Sequence, residues 1–379
     1  MRMSRREDWI TVGLSLWLLI GLFVDGWAHN TQPALETFFT PWHALFYSGF
    51  TATAGWLLWS VYRRIAPGRP WRQSVPAGYG PALAGVLLFG ISGLGDLIWH
   101  QVFGIEQDIA ALLSPTHLGL ITGAFLILTA PARAQASDPA LGASTDGRRH
   151  LPAVLSVSLA GALIGFILQS WHPLVESPAA ALGSNGEASP FGPNAPWFTE
   201  QLIVSGVPQY LMATVFLFGP MLWLARTWQL PAAAGVIGLG LQAVLMQAMV
   251  GIESPGLMAL GVLGGLAVSG LTVMLRPGPG SLARIRLFAG LAPLLFWTIH
   301  FAGIGLAGPG LGWQPELWGG CLIWSALVGL GMTLLLPSAP VGRPVGAPDG
   351  EPDGARTSPG PADQASGSPA RPDPEPARS

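Results

Sequence analysis

Long apolar stretches recur from the first residues to about residue 336 and restrict this chain to a membrane-spanning fold. Half of the 379 residues are hydrophobic and only 10% are charged. About 20 apolar residues in a helix cross the hydrocarbon core of a bilayer, and a helix satisfies its own backbone hydrogen bonds there. The pattern predicts an all-α, polytopic transmembrane helix bundle of about ten spans, near residues 10–28, 43–62, 80–101, 115–132, 151–171, 201–225, 231–251, 256–275, 285–306 and 316–336.

The placement of arginine predicts the orientation of the bundle. The chain has no lysine, so its 18 basic residues are all arginines. With ten spans, every arginine falls in the N-terminal segment, in the connections after spans two, four, six and eight, or in the C-terminal tail. Cytoplasmic loops of membrane proteins collect positive charge. We therefore expect a multi-pass protein of the plasma membrane with both termini in the cytoplasm.

The opposite, extracytoplasmic face is predicted to be acidic and rich in histidine, a combination that concentrates cations. Six of the seven histidines map to this face: His29, His43, His100, His117, His172 and His300. His172 and His300 have no aspartate four residues before them, and we interpret them as core or interface residues. The single cysteine, Cys321, excludes both a disulfide framework and a cysteine-based metal site.

An internal repeat carries most of these residues. DGWAH (25–29) leads to TPWH (40–43), and DLIWH (96–100) leads to SPTH (114–117). Each unit reads Asp-x-x-x-His, then an acidic loop, then Ser/Thr-Pro-x-His at the start of the next span. The first four spans are therefore predicted to form two similar hairpins.

The repeat spacing brings one carboxylate and two imidazoles together in each hairpin. Residues four apart lie on one face of a helix, so each Asp-x-x-x-His pair projects together. Ser or Thr suits a helix N-cap and Pro suits the first helical position, which puts the last histidine in the first helical turn. Two histidines and one carboxylate can hold a divalent metal and leave room for an exogenous ligand. We therefore predict two metal sites near the extracytoplasmic face, formed by Asp25, His29 and His43 and by Asp96, His100 and His117.

Acidic residues in the two outer loops are interpreted as hydrogen-bond partners that orient the imidazole N–H groups. These residues are Glu36, Glu106 and Asp108. Solvated loop acids are the alternative interpretation. Ligand type alone does not select the metal, so non-haem iron and zinc are among the candidates for both sets.

Composition and the repeat together divide the chain into four parts. Residues 1–133 are predicted to form a four-helix metal-binding membrane unit, and residues 134–150 a cytoplasmic loop. Residues 151–337 are predicted to form a six-helix membrane unit of unknown role. Residues 338–379 are rich in Pro, Gly, Ser and Ala and are predicted to be a disordered tail.

The quoted motifs resemble a known family. DGWAHNTQPALETFFTPWHALFYSGF and DLIWHQVFGIEQDIAALLSPTHLG resemble the C subunit of copper membrane monooxygenases, the particulate methane and ammonia monooxygenases. The resemblance covers roughly residues 20–125 and implies copper in both ligand sets and further membrane subunits as partners. Asp96 stands where that family commonly has Asn, and spans five to ten have no counterpart in it.

Three functions compete at this point. The first is a copper-dependent oxidoreductase or monooxygenase that uses O2 on a small apolar substrate at an outer-facing site. The second is a metal-handling protein for copper uptake, storage or delivery, without turnover. It ranks lower because the helices after His43 and His117 offer hydroxyl groups but no further ionisable or methionine ligands. A haem protein ranks last, because haem does not explain the paired aspartates. The lipid bilayer is an expected partner and nucleic acid is not.

Overall fold

The protein is described here from a computed structural model, which describes residues 1–32, 38–104, 112–138, 146–181 and 196–335. Within these ranges the chain is helical and contains no strand, so the all-α prediction is confirmed. The predicted tail (338–379) and part of the predicted loop 134–150 lie outside the described residues.

The α-helices are numbered in chain order. They are α1 (Arg5–Thr31), α2 (Pro41–Tyr62), α3 (Gly80–Phe103), α4 (Pro115–Leu128), α5 (Ala130–Ala136), α6 (Leu151–Ile167), α7 (Pro178–Ala181), α8 (Pro196–Thr227), α9 (Leu241–Met249), α10 (Pro255–Leu275), α11 (Leu282–Ala307) and α12 (Pro315–Leu335). Short 3-10 helices occur at Trp71–Ser74, Gly147–His150 and Gln169–Trp171, and a π-helical turn, Val236–Gly240, leads into α9.

Eight helices in the described part of the chain are long and apolar enough to cross a membrane. They coincide with predicted spans one, three to six, and eight to ten. The second predicted span is the 22-residue helix α2. The seventh is a shorter apolar helix, Val236–Met249, because the chain around Pro231 turns before the helix begins.

Helix α2 runs antiparallel along most of α1. At one end, Arg64 Nη2 lies 2.7 Å from the Glu7 carboxylate in the first turn of α1. At the other end, His43 Nε2 lies 3.5 Å from Asp25 Oδ2. These two contacts place both ends of α2 at the levels of the two ends of α1.

The seventh apolar segment extends between the same two levels. Before it begins, Leu230 N donates to Pro277 O at 3.1 Å, beside Arg276 at the end of α10. Where it ends, Met249 O accepts a hydrogen bond from Asn30 Nδ2 at 3.3 Å, beside the histidine-bearing end of α1. The segment therefore joins the arginine-bearing end of the bundle to the histidine-bearing end.

The two hairpins of the repeat are closed by glycines at equivalent positions. Gly49 follows His43 by six residues, and Gly123 follows His117 by six. A Cβ on Gly49 would lie 2.7 Å from Leu18 Cα, and a Cβ on Gly123 would lie 2.8 Å from Phe89 N. Leu18 and Phe89 each precede the repeat aspartate by seven residues. The sequence repeat therefore extends to the closest approach of the paired helices.

We predict that Gly49→Ala destabilises the protein whereas Gly55→Ala in the same helix does not. The added methyl group at Gly49 meets backbone atoms of α1, and such overpacking costs about 1–3 kcal/mol. Gly55 has open space around its Cα, so alanine there gains up to about 1 kcal/mol of helix propensity. Thermal unfolding in detergent, followed by tryptophan fluorescence, measures both. Equal shifts in Tm for the two variants would contradict the close approach of α1 and α2 at Gly49.

Candidate metal centre

Both predicted helix caps form and fix the position of the second histidine in each set. The Thr40 side chain accepts a hydrogen bond from His43 N at 3.1 Å, and the Ser114 side chain accepts one from His117 N at 3.2 Å. Pro41 and Pro115 occupy the first helical positions, where no N–H donor is needed. The imidazoles of His43 and His117 therefore leave the first turns of α2 and α4.

The first set lies at the junction of α1 and α2. Asp25 Oδ2 lies 3.5 Å from His43 Nε2 and 4.0 Å from His29 Nε2. Asp25 and His43 are buried, and His29 is half-buried. Each residue of the set offers one ligand atom, and these atoms lie within 4.8 Å of one another.

The second set repeats this arrangement at the junction of α3 and α4. Asp96 Oδ2 lies 3.6 Å from His100 Nε2, and Asp96 Oδ1 lies 3.6 Å from His117 Nε2. Asp96 is the more deeply buried aspartate, with 2% of its surface exposed against 8% for Asp25. The structure therefore brings the six predicted ligands together in the two predicted groups of three.

The spacing within both sets fits a metal ion better than direct hydrogen bonds. Nitrogen–oxygen separations of 3.5–4.0 Å are longer than a normal hydrogen bond. Two ligand atoms about 2.1 Å from one ion at a tetrahedral angle are separated by about 3.4 Å. Asp25 Oδ1 and His100 Nε2 are buried and have no hydrogen-bond partner within the described ranges. A cation in each set would compensate the buried Asp25 carboxylate in the first and give His100 Nε2 a partner in the second.

Hydrogen bonds to Nδ1 orient three of the four imidazoles. His43 Nδ1 lies 2.7 Å from Phe38 O, and His100 Nδ1 lies 3.2 Å from Gly104 O. A carbonyl only accepts, so in both rings Nδ1 carries a proton and Nε2 is the ring atom that faces the aspartate. His117 Nδ1 lies 2.8 Å from Ser114 Oγ. This is the second hydrogen bond that typically fixes a metal-ligating histidine.

Gly104 provides its carbonyl through an unusual backbone conformation. It ends α3 with φ +81°, in the left-handed region that glycine adopts without strain. Its N–H donates to His100 O at 3.1 Å while its carbonyl reaches His100 Nδ1.

The six predicted ligands line one cavity of about 160 Å³. The rings of His43 and His100, one from each set, have centroids 6.4 Å apart, so the sets are neighbours. Apolar side chains form much of the remaining wall, among them Leu22, Phe46 and Phe166. Phe166 belongs to α6, so the predicted boundary at residue 133 does not separate the site from the rest of the bundle.

Three residues at this site were not predicted from the sequence. Thr116 Oγ1 donates to Asp96 Oδ1 at 3.0 Å, and Tyr47 OH donates to Asp96 Oδ2 at 3.4 Å. The ring of Phe38 stacks on His43 with a centroid distance of 4.9 Å. Tyr47 follows His43 by four residues, and that spacing on one helix face could have identified it. No sequence signal distinguishes Phe38.

The acids predicted to orient the imidazoles, Glu36, Glu106 and Asp108, lie outside the described residues. Their role stays a prediction. Within the described ranges, two backbone carbonyls and a serine hydroxyl already occupy three of the four Nδ1 atoms.

His172 and His300 lie in the protein core, apart from the two sets, as expected for packing residues. His300 is 1% exposed, and its Nε2 lies 3.1 Å from Tyr210 OH and 3.3 Å from Ser177 Oγ. His172 Nδ1 accepts a hydrogen bond from Leu174 N at 3.2 Å. Among the described residues, neither histidine belongs to a group of three metal-ligating side chains.

Comparison with known proteins adds no relative: no family model, no curated protein and no solved structure matches the chain.

We predict that Ser114→Ala lowers the metal affinity of the second set about 10–100-fold, the usual cost of losing a hydrogen bond that orients a ligating histidine. Ser114 both caps α4 and contacts His117 Nδ1. Thr122→Ala is the matched control, because among the described residues Thr122 Oγ1 bonds only to Leu118 O of the same helix. Competition with a copper chelator of known affinity measures the effect. An unchanged affinity would show that Ser114 acts only as a helix cap.

His172 makes the fold sensitive to acid. Burial lowers the pKa of His172 from 6.5 to about 4. Between these values the unfolded chain binds a proton that the folded chain does not, so stability falls as the pH drops from about 6.5 toward 4. The loss has an upper bound of about 3 kcal/mol, at 1.36 kcal/mol per pKa unit. We expect Tm of His172→Gln to fall less than that of the wild type between pH 7 and pH 4.5. An equal fall in Tm with pH for the wild type and His172→Gln would contradict a role of His172 in acid sensitivity.

Proposed function

We propose that this protein is a copper-binding membrane protein that oxidises a small apolar substrate with O2 at an extracytoplasmic site. The observation that carries the proposal is the convergence of two Asp-His-His sets on one largely apolar cavity. A metal-ligating set beside apolar walls is what oxidation of an apolar molecule requires, because the substrate must lie next to the redox centre.

The proposed topology has ten spans with both termini in the cytoplasm of a plasma-membrane protein. Helix α2 and the segment Val236–Met249 each extend from the arginine-bearing end of the bundle to the histidine-bearing end. This supports counting them as spans together with the eight long helices. An even number of spans keeps the two termini on one side. The loops that carry the arginines then face the cytoplasm, and both ligand sets face outward.

Copper is the metal that the resemblance to copper membrane monooxygenases favours, and both sets offer donors that copper accepts. Non-haem iron and zinc remain alternatives for the same ligands. Bound copper would supply one-electron and O2 chemistry, which the side chains of this chain lack.

The protein's own residues would have three tasks in this reaction. The histidines and aspartates serve as ligands, with the imidazoles held by Phe38 O, Gly104 O and Ser114 Oγ. Thr116 and Tyr47 hold the Asp96 carboxylate in place. The apolar wall excludes water and gives an apolar substrate a site of low polarity.

Metal handling without turnover is the second proposal. The buried ligands and the acidic outer surface would suit storage or delivery of copper. Among the described residues that line the cavity there is no methionine or cysteine, so a conduction path for copper has less support. Further membrane subunits, which the resemblance implies, remain an expectation for either function.

Metal analysis tests the shared part of both proposals. We expect about one or two coppers per purified chain by inductively coupled plasma mass spectrometry, and near-complete loss in His29→Ala plus His100→Ala. His172→Gln, which changes a buried histidine outside both sets, is the control and should retain copper. No metal in the wild type after copper loading would refute the metal site.

Oxygen consumption separates the two functions. Copper-loaded protein with an artificial two-electron reductant and a short alkane should consume O2 and yield an alcohol and water if it is a monooxygenase. Asp25→Asn and Asp96→Asn, assayed singly, should show which set supports turnover. Stable copper binding without O2 consumption or product would favour metal handling.

A further inference from the structure

A second cavity, with a polar lining, lies at the arginine-bearing end of the bundle, remote from the ligand sets. It has a volume of about 320 Å³ and lies between the N-terminal segment, Ala77 and helix α5. Its lining contains three arginines, Arg2, Arg5 and Arg149, and the buried polar residues Asp8 and Gln135. The metal proposal assigns no role to this cavity.

The floor of this cavity offers acceptors without a cation. Asp8 is 5% exposed, accepts a hydrogen bond from Tyr79 OH at 2.8 Å and is hydrogen-bonded by the Gln135 side chain. Within the described ranges Asp8 forms no ion pair. Gln135 is 2% exposed, and its Oε1 has no hydrogen-bond partner there. One ammonium group would donate to both the buried carboxylate and the buried amide oxygen, and it would balance the carboxylate charge.

Three arginines and Asp138 are the other charged residues of the lining. Arg2 Nη1 pairs with Asp138 at 2.5 Å, Arg5 Nη2 donates to Arg148 O at 3.0 Å, and Arg149 lies 3.8 Å from Asp146. Each guanidinium carries five N–H donors in a planar fork that matches phosphate oxygens. The side chains of Arg2 and Arg149 are about half exposed. An anionic group near the exposed side chains of Arg2 and Arg149 would meet guanidinium N–H donors.

We propose that this cavity binds a phosphoethanolamine headgroup. The primary ammonium would lie on the floor and donate to the Asp8 carboxylate and to Gln135 Oε1. The phosphodiester would lie among Arg2, Arg5 and Arg149. The opposite orientation would place a phosphate against a carboxylate and an ammonium against three guanidinium groups, so the charges select one orientation.

A membrane lipid is the source of this headgroup that fits the position of the cavity. The cavity opens beside the first turn of α1, and the exposed side chain of Trp9 begins the apolar surface immediately after it. A bound headgroup there leaves the acyl chains beside the apolar surface of the bundle. Choline lipids fit less well, because a trimethylammonium group has no N–H to donate to Gln135.

Native mass spectrometry of the full-length protein in detergent tests the proposal. Delipidated protein is mixed with equal amounts of phosphatidylethanolamine, phosphatidylcholine and phosphatidylglycerol. We expect phosphatidylethanolamine to be retained at least about tenfold over the other two, since only its headgroup offers ammonium N–H donors to Asp8 and Gln135. Gln135→Leu and Arg149→Gln should each reduce retention about tenfold, whereas Arg69→Gln, at an exposed arginine outside the cavity, should not.

Three outcomes would overturn the proposal in different ways. Equal retention of ethanolamine and choline lipids would remove the role of the ammonium group. Preference for phosphatidylglycerol would reduce the cavity to a basic patch. Protection from thermal unfolding by soluble phosphoethanolamine, without retention of the lipid, would support the headgroup chemistry and overturn the lipid source. Arg149→Gln alters an exposed side chain, so its result stands even where Gln135→Leu fails to fold.

Discussion

Burial of two carboxylates at the ends of α1 and α3 is the constraint on which the proposed metal centre depends. Taking a carboxylate out of water costs several kcal/mol unless a cation or several donors compensate it. No arginine pairs with Asp25 or Asp96 within the described ranges. The two aspartates are compensated differently, because Asp96 accepts hydrogen bonds from Thr116 and Tyr47 while Asp25 Oδ1 has no described partner. In the proposed metal centre, a bound cation would therefore stabilise the first set more than the second.

The fold meets this constraint with the same local devices in both hairpins. A Ser/Thr-Pro pair starts the second helix at a fixed residue, so its histidine faces the aspartate of the first helix. A glycine six residues further on lets the paired helices approach within van der Waals contact of their backbones. Because both devices recur at equivalent positions, the two sets have nearly the same separations between carboxylate and imidazole atoms.

Local sequence signals predicted much of this arrangement, and tertiary packing decided the remainder. The i, i+4 spacing of Asp25 and His29 and the capping residues Thr40 and Ser114 act within one or two helical turns, so they could be recognised directly. The shared cavity depends on how the two hairpins pack together and on Phe166 from α6, which no local pattern specifies. The shortened seventh helix reflects the turn near Pro231 and the π-helical turn after it, whereas hydropathy alone favours a full span.

Helix α1 links the two polar regions of the molecule. It carries Asp8 near its start and Asp25 near its end, 17 residues apart, or about 26 Å at 1.5 Å per residue. Both carboxylates are buried, and neither has an arginine partner within the described ranges. Glu7, beside Asp8, shows the alternative, because Arg63 and Arg64 pair with it. Since the chain has arginines near Asp8 and does not use them on it, the two proposals share one physical basis: each aspartate of α1 takes its cation from a ligand.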